Sequence, residues 1–202
     1  MGKKAYHHGN LRAALLAAAR EILDTDGAEG LSLRKVARQT GVSPTALYSH
    51  FRDKRELLAV LATDGFDSLT RRMQEEAARS PSEPTGSGPQ LAGLARGYVL
   101  FAIDNHALFR LMFGRDSGDL LEFPQLAEAG SRAYTMMAEA VTQAMREHAI
   151  AGKGSIAATA AWSTVHGLAM LILDGRVSAK DQGASDDADL VDHVCGMLNF
   201  GI

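Results

Sequence analysis

The chain has 202 residues, of which 46% are hydrophobic and 22% are charged, a balance that is typical of a soluble globular protein. The single cysteine, Cys195, excludes an internal disulfide framework and favours a reducing compartment, so we expect a cytoplasmic protein. No basic run followed by an apolar stretch and a small-residue cleavage site opens the sequence, and we expect no secretion signal.

Charge is unevenly distributed along the chain. The formal net charge is −3, yet the first 60 residues hold ten Lys and Arg against six Asp and Glu. That segment therefore carries +4, and the remainder carries −7. A basic segment joined to an acidic one indicates that only the first meets a polyanion such as nucleic acid.

Apolar residues at helical spacing begin near residue 11. They predict a first helix between an N-cap at Asn10 and a C-cap at Gly27. Ser32 is the expected N-cap of a short second helix that ends at Gly41.

Ser43 is the expected N-cap of a third helix, with Pro44 in the first turn, where a missing N–H does no harm. A long fourth helix is expected to run from about Asp53 to Arg79. The segment 80–89 holds three of the five prolines and predicts a loop. Further helices are predicted at 90–104, 106–113, 124–151, 155–174 and 186–201, and no strand is predicted.

The apolar segment from Ser155 to Leu173 is long enough to resemble a membrane span. Polar residues interrupt it, however, so we predict a helix in a core or subunit interface and no membrane association. The interrupting residues are Ser155, Thr159, Ser163, Thr164 and His166.

The spacing between residues 32 and 52 predicts a helix-turn-helix. Gly41 follows Ala37 by four residues, Val42 follows it by five, and Leu47 by ten. A small residue allows two helices to cross closely, a glycine permits the left-handed turn, and later apolar residues fix the second helix on the first. Leu47 and Phe51, four apart, form the expected inner face of that second helix.

The opposite face of the same helix is polar and includes Thr45, Tyr48, Ser49 and His50. A helix that is anchored on one side and polar on the other can enter the major groove of DNA. A helical hairpin in an ordinary bundle shares the glycine turn and remains an alternative. Flanking basic residues favour the DNA interpretation: Arg34, Lys35, Arg52, Lys54 and Arg55.

The run from Leu33 to Leu57 resembles the DNA-binding domain of the TetR/AcrR family. Members typically show a pattern close to G-V-S-x-x-x-L-Y-x-H-F-x-x-K-x-x-L. Here the pattern is filled by Gly41, Val42, Ser43, Leu47, Tyr48, His50, Phe51, Lys54 and Leu57. The upstream segment 18–27 is similar to the family's first helix, so the resemblance covers about residues 8–60. Thr45 departs from the glycine that many members have, which affects base contacts and leaves the fold unaffected.

The resemblance implies how the DNA would be held. Phosphates would be contacted by Tyr48, His50 and Lys54, and base edges by Thr45, Ala46 and Ser49. Arg34 and Ser43 complete the predicted DNA-binding set. Tyr48 packed on a neighbour and His50 as a structural histidine are the alternatives. The segment 3–10 is either an arm that reaches DNA or a solvated tail.

The segment from Trp162 to Gly167 resembles the Trp-x-x-x-His-Gly signature of a TetR-type carboxy-terminal domain. Trp162 and His166 are four apart and share a helix face. They would line a ligand pocket or a dimer seam, or serve only packing. The predicted ligand-binding residues are Phe101, Phe109, Met112, Phe113, Tyr134, Met137, Trp162 and His166, which suit a small apolar or amphipathic effector.

The sequence therefore predicts an all-α protein with a three-helix helix-turn-helix DNA-binding domain at 1–56. A helical-bundle ligand-binding and dimerisation domain is predicted at 57–202. The expected function is a ligand-responsive repressor that binds a palindromic operator in double-stranded DNA as a homodimer. No cofactor, metal site or enzymatic activity is expected. The alternatives are a helical protein-interaction module and an enzyme that uses the second domain's cavity, with Ser163, His166 and Asp174 as its only candidates.

Overall fold

A computed structural model of the chain describes residues 8–79, 88–114 and 122–197. These residues form α-helices and a short 3₁₀ turn at Lys180–Gln182, and no strand occurs among them. The predicted all-α class is confirmed. The helices are α1 (His8–Gly30), α2 (Leu33–Thr40), α3 (Pro44–Tyr48), α4 (Lys54–Arg79), α5 (Gly88–Asp104), α6 (His106–Phe113), α7 (Pro124–Glu147), α8 (Gly154–Leu173) and α9 (Asp187–Met197).

The chain divides into two compact units. The first takes in the residues up to Gly65 together with the segment 107–127, and the second takes in 66–106 and the residues from 128 onward. The predicted boundary after residue 56 stays a prediction. Residues 3–7 of the predicted amino-terminal arm and 80–87 of the predicted loop lie outside the described residues, whereas residues 8–10 belong to α1 and 88–89 to α5.

The first unit is built on α1, whose apolar face is buried at Leu15, Ala19 and Ile22. The predicted end at Gly27 is a real break, because Gly27 takes φ 71° and ψ 179°, although helical residues resume up to Gly30. The predicted N-cap at Asn10 is wrong, since α1 already begins at His8.

Within the same unit α4 and α6 cross closely at Gly65. A Cβ added there would lie 2.6 Å from Sδ of Met112 and 3.1 Å from Cδ2 of Leu108. A side chain at this position would require Met112 to shift, because real Cβ atoms essentially never lie within 3.0 Å of another heavy atom.

The second unit is a helical bundle in which α5 packs against both α8 and α9. The crossing of α4 and α5 depends on Gly97, where an added Cβ would lie 2.6 Å from Cα of Met73 and 2.9 Å from the carbonyl oxygen of Arg72. Side chains from α5, α7 and α8 are buried in this unit, among them Val99, Ala133, Val141 and Val165.

The seventh helix is shorter than predicted. It ends at Glu147 rather than at 151, because Ala149 adopts a left-handed φ of 52° and Gly152 a φ of 146°. The amide of Ile150 donates to the carbonyl of Met145 at 2.9 Å and closes the helix end. Predicted residues 198–201 of the last helix lie outside the described residues.

The helix α8 is long and apolar enough to cross a membrane by length and composition alone. One side of it is buried, at Ala158, Ala161, Val165, Leu168 and Ala169, and packs on α5. A helix that packs in this way belongs to a protein core, which agrees with the predicted core or interface helix.

Candidate functional site

The second helix is capped at both ends by the predicted residues. The hydroxyl oxygen of Ser32 accepts a hydrogen bond from the Lys35 amide at 3.2 Å. At the other end Gly41 takes the left-handed conformation, with φ 69° and ψ 24°. The Val42 amide donates to the Ala37 carbonyl at 3.0 Å and turns the chain toward the next helix.

The third helix has only five residues, so its caps and its buried face determine its stability. The hydroxyl oxygen of Ser43 accepts from the Ala46 amide at 3.2 Å, and Pro44 occupies the first position. Leu47 and Phe51 are 0% and 1% exposed. These two side chains fix α3 in the first unit, as their spacing predicted.

The other face of α3 is open to solvent. Thr45 and Ser49 are exposed, and 53% of the Tyr48 surface is accessible. Ala46 and His50 are partly buried at the edges of this face. The Ser49 hydroxyl donates to the Ala46 carbonyl at 2.7 Å, which leaves its oxygen able to accept from a base. The face thus presents hydroxyl and imidazole groups on a helix that is fixed from behind.

The start of α4 is held by reciprocal side-chain bonds. The Asp53 carboxylate accepts from the Glu56 amide at 2.9 Å, and the Glu56 carboxylate accepts from the Arg52 amide at 2.7 Å. The bond from the Glu56 amide lowers the pKa of Asp53. The Lys54 ammonium donates to the Glu29 carbonyl at 3.3 Å and keeps two further N–H donors.

Three of the five flanking basic residues pair with carboxylates, and one of these pairs joins Arg52 to Asp53 at 3.2 Å. Lys35 pairs with Asp26, and this hydrogen bond lowers the pKa of the Asp26 carboxyl. Arg55 pairs with Glu122 at 2.9 Å. Arg34 is exposed on α2 and remains available for an external anion. The basic flank that the sequence indicated is therefore partly neutralised within the protein.

A chain of hydrogen bonds connects three polar side chains in the second unit. The Trp162 indole N–H donates to the Tyr98 oxygen at 3.2 Å, and the Tyr98 oxygen lies 2.8 Å from Nδ1 of His166. The Tyr98 oxygen accepts from Trp162, and its hydroxyl proton can be donated to Nδ1 when His166 is neutral with its proton on Nε2.

Burial influences the protonation of Tyr98 and His166 in this hydrogen-bonded group. The Tyr98 side chain is buried, which raises its pKa, and burial lowers the pKa of His166. The sequence predicted a shared face for Trp162 and His166, and it indicated Tyr98 only as one of several aromatic residues that could line a cavity, not as the residue that joins them. A tyrosine on an otherwise apolar helix face was the available signal, since a buried hydroxyl needs a partner.

The second unit also contains an open groove of about 1020 Å³. Of the predicted ligand residues only Tyr134 lines it, and the Tyr134 ring packs edge-on to Trp162 with the centroids 5.5 Å apart. Most of the lining comes from α4 and α7, with polar groups at Gln74, Glu139, Gln143 and Arg146.

The other predicted ligand residues are distributed over both units. Phe101 and Met137 are buried in the second unit, at 3% and 2% exposure. The first unit contains Phe109, Met112 and Phe113. The ring centroids of Phe109 and Phe113 lie 4.7 Å apart. No group of three or more His, Cys, Asp or Glu in the described ranges is arranged to hold a metal ion.

A short capped helix with a buried inner face and an exposed polar outer face, behind a glycine turn, defines a helix-turn-helix DNA-binding protein. Residues 15–61 match the family model for bacterial regulatory proteins of the tetR family. Residues 91–198 match the model for a tetracyclin repressor-like, C-terminal domain. The chain belongs to the tetR family of bacterial transcriptional regulators.

Similarity to individual proteins supports this family assignment. The uncharacterised HTH-type transcriptional regulator YobS of Bacillus subtilis is 35% identical over 97 residues, 48% of each chain. The chain spans about half the length of the curated relatives it matches. A solved protein of unknown function from Rhodococcus sp. RHA1 is 35% identical, with a TM-score of 0.79 over 98% of this chain and 96% of that one.

A more distant likeness extends to a regulator with a bound ligand. FadR from Bacillus subtilis, solved in complex with stearoyl-CoA, shares the fold at 17% identity and a TM-score of 0.71. The alignment covers 94% of this chain and 98% of that one. The distant likeness shows the fold alone, whereas the two family models show a DNA-binding transcriptional regulator, and regulators of this family are not enzymes.

Proposed function

We propose that the protein is a ligand-responsive repressor that binds a palindromic operator as a homodimer. The observation that carries the DNA half of the proposal is the two-sided character of α3. Leu47 and Phe51 are fully buried behind it, while Thr45, Tyr48 and Ser49 are exposed in front. Such a helix can insert its outer face into a major groove without unfolding its attachment.

The proposed contacts divide into two kinds. Tyr48, His50 and Lys54 bind backbone phosphates and set the register of the protein on the duplex. Ser43, which uses its oxygen as a cap acceptor, still has its hydroxyl proton to donate to a phosphate. Thr45, Ala46 and Ser49 face base edges, with Ala46 against a thymine methyl, and Arg34 approaches from α2.

The exposed side of α8 supports the dimer. Its outer residues recur every three or four positions and are small or apolar: Ile156, Ala160, Ser163, Gly167 and Leu171. Ile156 and Leu171 are 64% and 46% exposed, and no atom lies within 4 Å of a Cβ placed on Gly167. A second copy of the helix can approach this stripe closely, and a two-fold dimer doubles the DNA contacts.

The groove beside Tyr134 is the proposed effector site. Its mixture of apolar and amide side chains suits an amphipathic molecule, the class to which the stearoyl-CoA bound by the Bacillus subtilis FadR belongs. An effector that binds one arrangement of the recognition helices better than another changes DNA affinity by about 5- to 150-fold, a coupling of about 1–3 kcal/mol. The cytoplasm is the expected location.

The proposal is tested by DNA binding in solution. We expect the purified protein to bind the DNA that flanks its own coding sequence at nanomolar to micromolar concentration, with an affinity that falls steeply with salt. Tyr48→Phe removes one hydroxyl and is expected to weaken binding about tenfold or more, since it loses a hydrogen bond to a charged group. Lys180→Ala, an exposed charge in the second unit, is the control.

Two outcomes would contradict the proposal. If the protein bound every flanking sequence with the same affinity as random duplex DNA, an operator in that region would be refuted. A wild-type protein that sediments as a monomer at micromolar concentration, unchanged by Leu171→Lys, would refute the dimer. Ala92→Lys, at an exposed position on α5, is the matched control for the latter variant.

A further inference from the structure

Four of the eight Lys and Arg side chains in residues 8–65 are neutralised by acidic neighbours. Arg20 pairs with Asp24, Lys35 with Asp26, Arg52 with Asp53 and Arg55 with Glu122. Within the described residues, three arginines of this region have no carboxylate partner: Arg12, Arg34 and Arg38. The positive field of the unit is therefore concentrated at these side chains and at Lys54, which bonds only a carbonyl.

Arg12 differs from the other two because the structure holds its guanidinium in place. The guanidinium carbon lies 5.3 Å from the centroid of the Phe51 ring. Phe51 is 1% exposed and is bonded back to α3, since its amide donates to the Leu47 carbonyl at 3.1 Å. Arg12 itself is exposed. This side chain of α1 therefore covers Phe51, which follows the exposed helix α3 in the chain.

A guanidinium stacked on a ring keeps the hydrogen-bonding capacity of its edges. The ring attracts the flat face of the cation, whereas the five N–H donors point outward in the plane and remain free for an anion. Arg also loses less side-chain freedom when it binds an anion if stacking has already restricted it. These properties suit a bidentate contact with a phosphate.

We propose that Arg12 binds a backbone phosphate of the DNA and extends the binding surface from α3 and α4 onto α1. This inference rests on the proposed DNA-binding function and adds a residue that lies outside the helix-turn-helix motif. A phosphate contact sets position and affinity and carries no base preference. Arg12 is therefore expected to strengthen binding to all sequences equally.

The test is the salt dependence of binding for Arg12→Gln, Arg20→Gln and the wild type. For each Arg12–phosphate contact that is lost, the slope of log K against log salt concentration falls by about 0.9, hence by about 1.8 for a dimer. The affinity near 0.15 M salt falls about fivefold per contact, for operator and unrelated duplex alike. Arg20→Gln removes the same charge from the same helix, at a residue that pairs with Asp24, and should leave the slope unchanged.

Two outcomes would overturn the inference. If Arg12→Gln lowers the melting temperature but keeps the wild-type slope, Arg12 serves only to cover Phe51. If Arg20→Gln reduces the slope equally, the effect is one of overall charge and not of a contact. Arg12→Lys keeps the charge and should retain most of the slope, whatever it does to stacking. A wild type that binds no DNA at any salt concentration would instead refute the proposed function itself.

Discussion

The hydroxyl oxygen of Tyr98 on α5 lies 2.8 Å from Nδ1 of His166 on α8, and the indole N–H of Trp162 completes the chain from the other side. With the Tyr98 hydroxyl as donor, the acceptor is Nδ1 of a neutral imidazole, whereas a protonated His166 would direct a second N–H at the Tyr98 oxygen. Burial lowers the pKa of His166 and so favours the neutral form that the bond needs.

Stability should therefore decrease in acid through His166. A histidine whose pKa is lowered in the folded state binds its proton less well there than in the unfolded chain. Its contribution to the free energy of unfolding is complete above the ordinary value of 6.5 and is lost as the pH falls below it, toward the lowered pKa. Asn can accept the same hydrogen bond without titrating. In His166→Asn, the free energy of unfolding measured by urea denaturation should therefore differ less between pH 7.5 and pH 5.5 than it does in the wild type.

His193 supplies a contrast of opposite sign. Its bond to the Asp189 carbonyl raises its pKa, so its contribution is present at low pH and is lost as the pH rises through the raised value. The prediction for His166 would be contradicted if His166→Asn kept the wild-type dependence of stability on pH while His193→Gln changed it. The titrating group would then be His193.

The cap of α3 can be separated from its proposed role in DNA binding. Ser43→Ala loses the bond to the Ala46 amide and should lower the free energy of unfolding by about 1 kcal/mol. Ser43→Asp and Ser43→Asn both retain a capping oxygen, so both should keep near wild-type melting temperatures. Only Ser43→Asp places a carboxylate beside the phosphates and should lose DNA affinity in a shift assay. Equal affinity of the two variants would place Ser43 away from the DNA.

Glu76 is the one carboxylate among the described residues that is buried, at 6% exposure. It is held by Arg79 at 2.6 Å, Arg72 at 3.3 Å and Arg96 at 3.4 Å, and Arg96 also pairs with Asp192 on α9. Glu76→Gln removes the buried charge that three guanidinium groups share and should lower the free energy of unfolding by about 1–3 kcal/mol, since Arg72 and Arg96 keep Asp104 and Asp192 as partners. Glu75→Gln, at its exposed neighbour, should change the melting temperature little, and comparable losses in the two variants would argue against the network.

Gly97 should tolerate no side chain. The Cβ of Gly97→Ala would meet backbone atoms of Met73 and Arg72 at 2.6 and 2.9 Å, and α4 and α5 would have to separate at a cost of about 1–3 kcal/mol. Gly167→Ala meets nothing within 4 Å and should stabilise the protomer by up to about 1 kcal/mol through helix propensity. Thermal unfolding at low protein concentration separates the two effects, and a destabilised Gly167→Ala protomer would contradict the open space at that position.

Local sequence patterns were sufficient to predict most of the helices and the helix-turn-helix. Caps at Ser32 and Ser43 and the left-handed turn at Gly41 depend on residues within four positions of one another, so local spacing is sufficient to predict them. The inner residues Leu47 and Phe51 follow from the same periodicity. The prediction was wrong at two helix ends: α1 begins at His8, before the expected cap Asn10, and α7 ends at Glu147, before the expected residue 151.

Tertiary structure alone decided which polar groups meet. Tyr98 and His166 are 68 residues apart, Arg55 and Glu122 are 67 apart, and Arg96 and Asp192 are 96 apart. No periodicity within one helix indicates such a partner, because it depends on how helices cross and which side chains share the buried space. For the same reason the aromatic and methionine residues could be counted in the sequence but not assigned, and the structure places Phe109 in one unit and Phe101 in the other.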